Sequence, residues 1–156
     1  MKPETYTSLV AELLPKVREI FPWDLVDRLK ESSDLLLLDV REPSEFNTAH
    51  IAGSLSVPRG VLESACDWDY DETEPALANG RNREIVVICR SGHRSVLAAY
   101  TMQRMGFSKV YSLKTGVRGW FEFEQPLVNA ANEDVDEDFA EEFFTTRLRP
   151  EQRRPA

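Results

Sequence analysis

The chain is predicted to fold as an α/β domain on a parallel sheet. Two observations predict this. The longest apolar stretches, Leu35–Leu38 and Ile85–Cys89, have the length of strands rather than of buried helices. Strand-like segments also alternate with helix-like ones, which argues for parallel strands with helices on both faces. At 156 residues, 42% of them hydrophobic, the chain can bury a core of ordinary domain size.

Residues 5–20 and 22–31 read as two helices. Leu9, Val10, Leu13, Leu14 and Val17 recur at helical spacing, with a disturbance expected at Pro15. Pro22 suits the first turn of the second helix, whose apolar positions include Trp23, Leu25, Val26 and Leu29. Leu35–Leu38 reads as a buried strand ending at Asp39 and Val40, and Glu42–Asn47 as a short helix. Ser54–Val57 is a second strand, closed by Pro58. Residues 65–83 are crowded with acids and punctuated by Pro75, Gly80 and Asn82, so they read as a surface loop with at most a helical turn. Ile85–Ile88 is the central strand. A helix then runs to Met105, with Gly106 as its C-terminal stop. Lys109–Leu113 is a further strand, and Gly116 opens a short helix through Trp120 and Phe123 that Pro126 ends. No internal repeat is present.

Charge and cysteine content narrow the function classes. The chain has 19 basic and 27 acidic side chains, a net charge of −8. Residues 129–156 carry half of that excess, eight acids against four arginines. Nothing here forms the basic face that nucleic acid or an anionic membrane requires. Phe139, Phe143 and Phe144 lie at helical spacing in this acidic tail, which reads as an amphipathic helix packed on the domain or partly disordered, in preference to a docking tail for a partner. Two cysteines, Cys66 and Cys89, are too few for a secreted disulfide scaffold. With no signal-peptide pattern and no apolar run of membrane-spanning length, the expected compartment is the cytoplasm.

The chemistry concentrates in Cys89-Arg90-Ser91-Gly92-His93-Arg94, between the Ile85–Ile88 strand and a helix beginning near Ser95. The first N–H groups of a helix lack internal partners, and its dipole places positive charge there. A thiolate at that point is stabilised, and more of it is nucleophilic at neutral pH. The backbone N–H groups from Arg90 through Ser95 are expected to converge on the sulfur. Gly92 lets the loop curl where a side chain would block it. Arg90 and Arg94 are the candidates for holding an anionic substrate. A cation is disfavoured at a helix start, so Arg94 implies anion binding or a structural ion pair. His93 reads as loop shape and electrostatics, and His50 as a backbone hydrogen-bond maker. Asp39 and Arg41 read as supports tying strand ends to the loop. Cys66 could resolve an oxidised Cys89 by forming a disulfide, but an unrelated thiol is the simpler reading.

Several segments together resemble the single-domain rhodaneses, a sulfurtransferase family. Leu36-Leu37-Leu38-Asp39-Val40-Arg41-Glu42 is similar to the family's first strand and Asp-x-Arg-Glu segment. Glu45-Phe46, then His50-Ile51-Ala52-Gly53-Ser54, resembles its "EF…GHIPGA" segment, with Ala49 and Ala52 as departures. Val57-Pro58 fits the next strand end, and Cys89–Arg94 the active-site loop. Leu113–Trp120 resembles the closing "L-x-G-G-x-x-x-W", with Thr115 in place of the usual first glycine. The resemblance covers residues 34–128. It leaves 1–33 as an N-terminal helical extension packed on the core and 129–156 as an acidic tail.

The resemblance implies a rhodanese-like domain with a central five-stranded parallel sheet and helices on both faces. It implies that Cys89 carries sulfur as a persulfide. The donor would be a small anion such as thiosulfate, and the acceptor cyanide, a thiol or a protein. No metal or organic cofactor is required. Two alternatives stand beside it. A persulfide carrier or regulatory module would serve a protein partner. A phosphatase or arsenate reductase would use Cys-x5-Arg, one residue longer than the Cys-x4-Arg spacing here.

Overall fold

The computed structural model describes residues 1–156. Helix α1 (Tyr6–Leu13) is followed by strand β1 (Arg18–Ile20) and helix α2 (Pro22–Glu31). Strand β2 (Leu36–Asp39), helix α3 (Pro43–Thr48) and strand β3 (Leu55–Ser56) come next. Two single-turn helices, α4 (Leu62–Ala65) and α5 (Pro75–Ala78), bracket the acidic loop. Then follow β4 (Glu84–Ile88), α6 (Arg94–Arg104), β5 (Lys109–Leu113), α7 (Gly116–Glu122) and α8 (Glu137–Phe144).

All five strands are parallel, in the order β1-β5-β4-β2-β3. Side chains alternate across β4, so it feeds both layers of core. Ile85, Val87 and Cys89 join the layer containing Val10 of α1, Leu77 of α5 and Val96, Ala99 and Met102 of α6. Val86 and Ile88 join the layer containing Leu25 of α2, Val117 and Trp120 of α7 and Phe144 of α8. This is the period-2 geometry of a strand covered on both sides.

The N-terminal stretch departs from the single helix expected over 5–20. Helix α1 stops at Leu13, and Leu14–Lys16 form one 3-10 turn around Pro15. Proline has no N–H to continue the helical ladder, and its ring crowds the preceding turn. Freed there, Arg18–Ile20 pair with Tyr111–Leu113 and become an edge strand of the sheet. The segment before residue 33 therefore supplies one of the five strands as well as helices. In the region read as a surface loop, 67–74 is largely exposed, but α5 buries Leu77 fully. The tail is also anchored, since α8 buries Ala140 and Phe144.

Candidate functional site

The site lies where β4 ends beneath the N-terminus of α6. Cys89 leaves the strand buried, at 1% exposure. Gly92 donates its backbone N–H to Cys89 Sγ at 3.1 Å, and the Ser95 hydroxyl lies 3.3 Å from the same sulfur. Ser95 Oγ is in turn 2.7 Å from Ser112 Oγ on β5, and both serines are fully buried. A neutral thiol donates to Ser95. A thiolate needs the reverse, with Ser95 donating to sulfur and accepting from Ser112. Because hydroxyls rotate, one chain of groups serves both charge states. In place of a full ring of backbone donors from Arg90 to Ser95, the sulfur is hydrogen-bonded by one backbone N–H and one side-chain hydroxyl.

The loop is held from outside by the start of α7. Cys89 and Arg90 carbonyls accept from the N–H groups of Val117 and Arg118, at 2.9 and 3.0 Å. Two orphan donors of a helix start are thereby satisfied, and the loop is pinned. Glycine is required at two points of this contact. Gly92 has φ +94°, and a Cβ there would lie 2.9 Å from the Thr115 nitrogen. Gly116 has φ +62°, and its Cβ would overlap the Cys89 carbonyl oxygen and sit 2.6 Å from the Arg90 carbonyl carbon.

The cationic side chains of the loop are engaged within the fold. Arg94 meets Glu45 of α3 through two hydrogen bonds of 2.9 Å, the ion-pair alternative of the two readings. Burial pushes the Glu45 carboxyl up, but Arg94 and the Glu42 backbone N–H outweigh it and hold it below its ordinary value. Arg90 donates to the Phe144 carbonyl at 2.8 Å. Helix α8 has no cation in its own last turn, so Arg90 supplies one from the loop. Ser91 and His93 are exposed.

Asp39 and Arg41 form a wholly buried pair. Arg41 Nε and Nη2 reach the carboxylate at 3.0 and 2.8 Å, and Nη2 also donates to the Ala49 carbonyl at 2.7 Å. They join the end of β2 to the turn beyond α3, away from the sulfur's own hydrogen bonds. The His50 ring is bonded to the Phe46 carbonyl at 2.7 Å and stacks on the Phe46 ring. Cys66 is buried, and burial pushes its thiol up to about 11, with Arg81 opposing and Glu63 and Asp67 adding to the shift. That leaves little thiolate for a resolving role.

Three site neighbours carry no mark of that role in the sequence: Ser112, Tyr6 and Glu45, the last of which stands out only through the Glu45-Phe46 motif. The Tyr6 ring meets His93 edge-to-face at 5.8 Å. Burial and the nearby Cys89 charge raise its phenol above the ordinary value, against a lowering by Arg94. Its only local mark is the Thr5–Ser8 capping box, which places it at the first turn of α1.

A parallel α/β domain that delivers a cysteine into a six-residue loop at a helix start defines a class of cysteine-dependent enzymes and sulfur carriers. Within that class, a family model described as Rhodanese-like domain matches residues 22–123. The chain belongs to the rhodanese-like domain family, and several of its relatives are named as sulfurtransferases or sulfur carriers. It is 38% identical over 93 residues to the "Putative sulfur carrier protein YrkF" of Bacillus subtilis, covering 60% of this chain and 45% of that protein's length. It is 29% identical over 112 residues to the "Sulfurtransferase" of Allochromatium vinosum, covering 72% of this chain and 95% of the relative. Among solved structures, a rhodanese-related protein from Thermoplasma volcanium superposes with TM-score 0.58 at 29% identity, over 71% of this chain and 97% of the other. A Rhodopseudomonas palustris protein of unknown function, described as "Possible Tyrosine Phosphatase", superposes with TM-score 0.73 at 26% identity, over 81% and 96%.

Proposed function

We propose that the chain is a sulfurtransferase that moves a sulfane sulfur from an anionic donor such as thiosulfate to a thiophilic acceptor through a persulfide on Cys89. The observation that carries this reading is the buried Cys89 sulfur between the Gly92 N–H and the Ser95 hydroxyl. The Gly92 N–H donates to the sulfur, and the Ser95 hydroxyl can turn to donate to it once it is an anion. In the first half-reaction the Cys89 thiolate attacks the outer sulfur of thiosulfate. A new S–S bond forms, the donor's S–S bond breaks, and sulfite leaves with the electron pair. In the second, the acceptor attacks the outer sulfur of the persulfide, and Cys89 departs as thiolate. Two half-reactions sharing a covalent intermediate give ping-pong kinetics. Ser91, His93 and the loop backbone form the entrance, while Arg90, Arg94, Asp39 and Arg41 hold the loop and its surroundings in place.

The phosphatase description of the Rhodopseudomonas palustris neighbour makes a second reading worth testing. Two features weigh against it here. The loop has four residues between cysteine and arginine rather than five. The Arg94 guanidinium is also already committed to Glu45, so it is not free to clasp a phosphoryl group.

Intact mass spectrometry after exposure to thiosulfate tests the proposal. The wild-type chain should gain one sulfur atom, and Cys89→Ser none. Equal gain in both would remove Cys89 from the reaction. Hydrolysis of an aryl phosphate that vanishes in Cys89→Ser would favour the second reading.

A further inference from the structure

A groove of about 520 Å³ runs between the end of α7 and the side of α8. Its floor is apolar, with Leu127 and Ala140 buried and Phe121 and Val135 half-buried. Its rim carries five exposed carboxylates and no cation: Glu122, Glu124, Asp134, Glu137 and Glu141. Glu122 pairs with Arg118, and Glu137 stands in the first turn of α8, where the helix dipole offsets its charge. Glu124, Asp134 and Glu141 have no ionic partner in the fold. Like charges held around an apolar strip repel one another. A segment that brings arginines and an apolar side chain together relieves that repulsion and covers the strip.

The chain carries such a segment itself. Residues 147–156 hold four arginines against one glutamate, so residues 1–146 hold −11 of a chain whose net charge is −8. Every residue from Thr145 to Ala156 is exposed, Leu148 at 50%. Arg147 lies 3.7 Å from Glu142, and Arg149 lies 3.3 Å from Glu151, both pairs on the open surface. Arg153 and Arg154 have no ionic partner. The segment thus leaves the groove of its own chain uncovered. To reach it there, the backbone would have to double back just after α8 ends at Phe144. Extended, ten residues reach up to about 33 Å, enough to cross to a neighbouring molecule.

We propose that the groove receives residues 147–156 of a second copy of this chain, and that two copies exchange these segments about a two-fold axis. Leu148 of each copy lies on the other's apolar floor, and the arginines face Glu124, Asp134 and Glu141. Reciprocal exchange fills both grooves and leaves no free segment, so the assembly closes as a dimer instead of growing into a fibre.

Size exclusion with light scattering, on the full-length chain across a dilution series, tests this. The wild type should reach twice 17.9 kDa. Its dissociation constant should rise about tenfold or more between about 0.1 M and 1 M salt, as the screening length falls from about 10 Å to about 3 Å. Two charge-reversed variants separate exchange from misfolding. One carries Arg147→Glu, Arg149→Glu, Arg153→Glu and Arg154→Glu, and the other Glu124→Lys, Asp134→Lys and Glu141→Lys. Each alone should be monomeric, because its segment and groove then bear charge of one sign. Mixed in equal amounts they should recover the dimer, because each segment meets a groove of opposite charge. A wild type that is monomeric at the lower salt, a dimer that either variant leaves intact, or a mixture that stays monomeric would overturn the exchange. A monomeric wild type that binds a labelled peptide of residues 147–156, with binding lost in the groove variant, would also overturn it and assign the groove to a basic segment of another protein.

Discussion

Ser95 joins the sulfur to the rest of the site at the scale of single residues. It is fully buried, 3.3 Å from Cys89 Sγ and 2.7 Å from Ser112 Oγ, so no water substitutes for its hydroxyl. A hydrogen bond to a charged group contributes about 1.5–3 kcal/mol. Ser95→Ala should therefore slow persulfide formation by roughly 10- to 100-fold. Single-turnover sulfite release checks this, and a change below twofold would show that Gly92 alone holds the sulfur. Glu45 sets a second expectation, in stability. Its folded carboxyl is held below the unfolded value by Arg94, so the pair contributes fully above the unfolded value of about 4.3. The contribution disappears as pH falls through the lower folded value. Wild type should exceed Glu45→Gln by about 1 kcal/mol at pH 7, with the gap closing below about pH 4. Urea unfolding at a series of pH values measures it, and a gap independent of pH would show that the pair is not its source.

Helix α7, which pins the loop, stores an identifiable conflict at the scale of elements. Thr115 precedes it at φ +68°, in the left-handed region that a β-branched residue adopts at a cost of about 1–2 kcal/mol. Its side chain also lies where a Cβ on Gly119 would fall, so an alanine there would overlap the Thr115 Cβ and Oγ1. Gly119→Ala alone should thus destabilise the fold by about 1–3 kcal/mol, although alanine is the better helix former. Thr115→Gly should stabilise or be neutral, since relief of strain is offset by a freer unfolded chain. In the double variant the overlap is gone, and the alanine should now help. Thermal unfolding of all four proteins would reveal a coupling of about 0.5–3 kcal/mol, and simple additivity would refute the conflict.

Strands β2, β4 and β5 and the loop from Cys89 to Arg94 were legible because each is contiguous, with its own apolar or chemical pattern. Strand β1 was not, because Arg18-Glu19-Ile20 contains one apolar residue and continues a helical spacing that only Pro15 interrupts. The loop's partners were hidden for a different reason. Ser112, Glu45 and Phe144 lie 17, 49 and 54 residues from the residues they bond, and only the sheet order brings them together.

At the scale of the whole molecule, the matched core and the parts that complete it do not coincide. A fragment of residues 34–128 would keep β2 to β5 and the catalytic loop. It would lose β1, which pairs β5 along one side of the sheet, and would expose that strand as an open edge. It would also lose Val10, Val17, Ile20, Leu25, Ala140 and Phe144 from both layers of core. At about 1.5–3 kcal/mol for each large apolar side chain buried, their loss comes to roughly 10 kcal/mol. That is comparable with the entire stability of an ordinary domain, about 5–15 kcal/mol. Arg90 would in addition lose the Phe144 carbonyl that it bonds beside the catalytic cysteine. The fragment should therefore aggregate or unfold without a cooperative transition, while the full chain unfolds in one step. Circular dichroism during urea titration, with light scattering, distinguishes the two. A soluble fragment that melts cooperatively and still takes up sulfur on Cys89 would show that the flanking segments are accessories rather than parts of the folding unit.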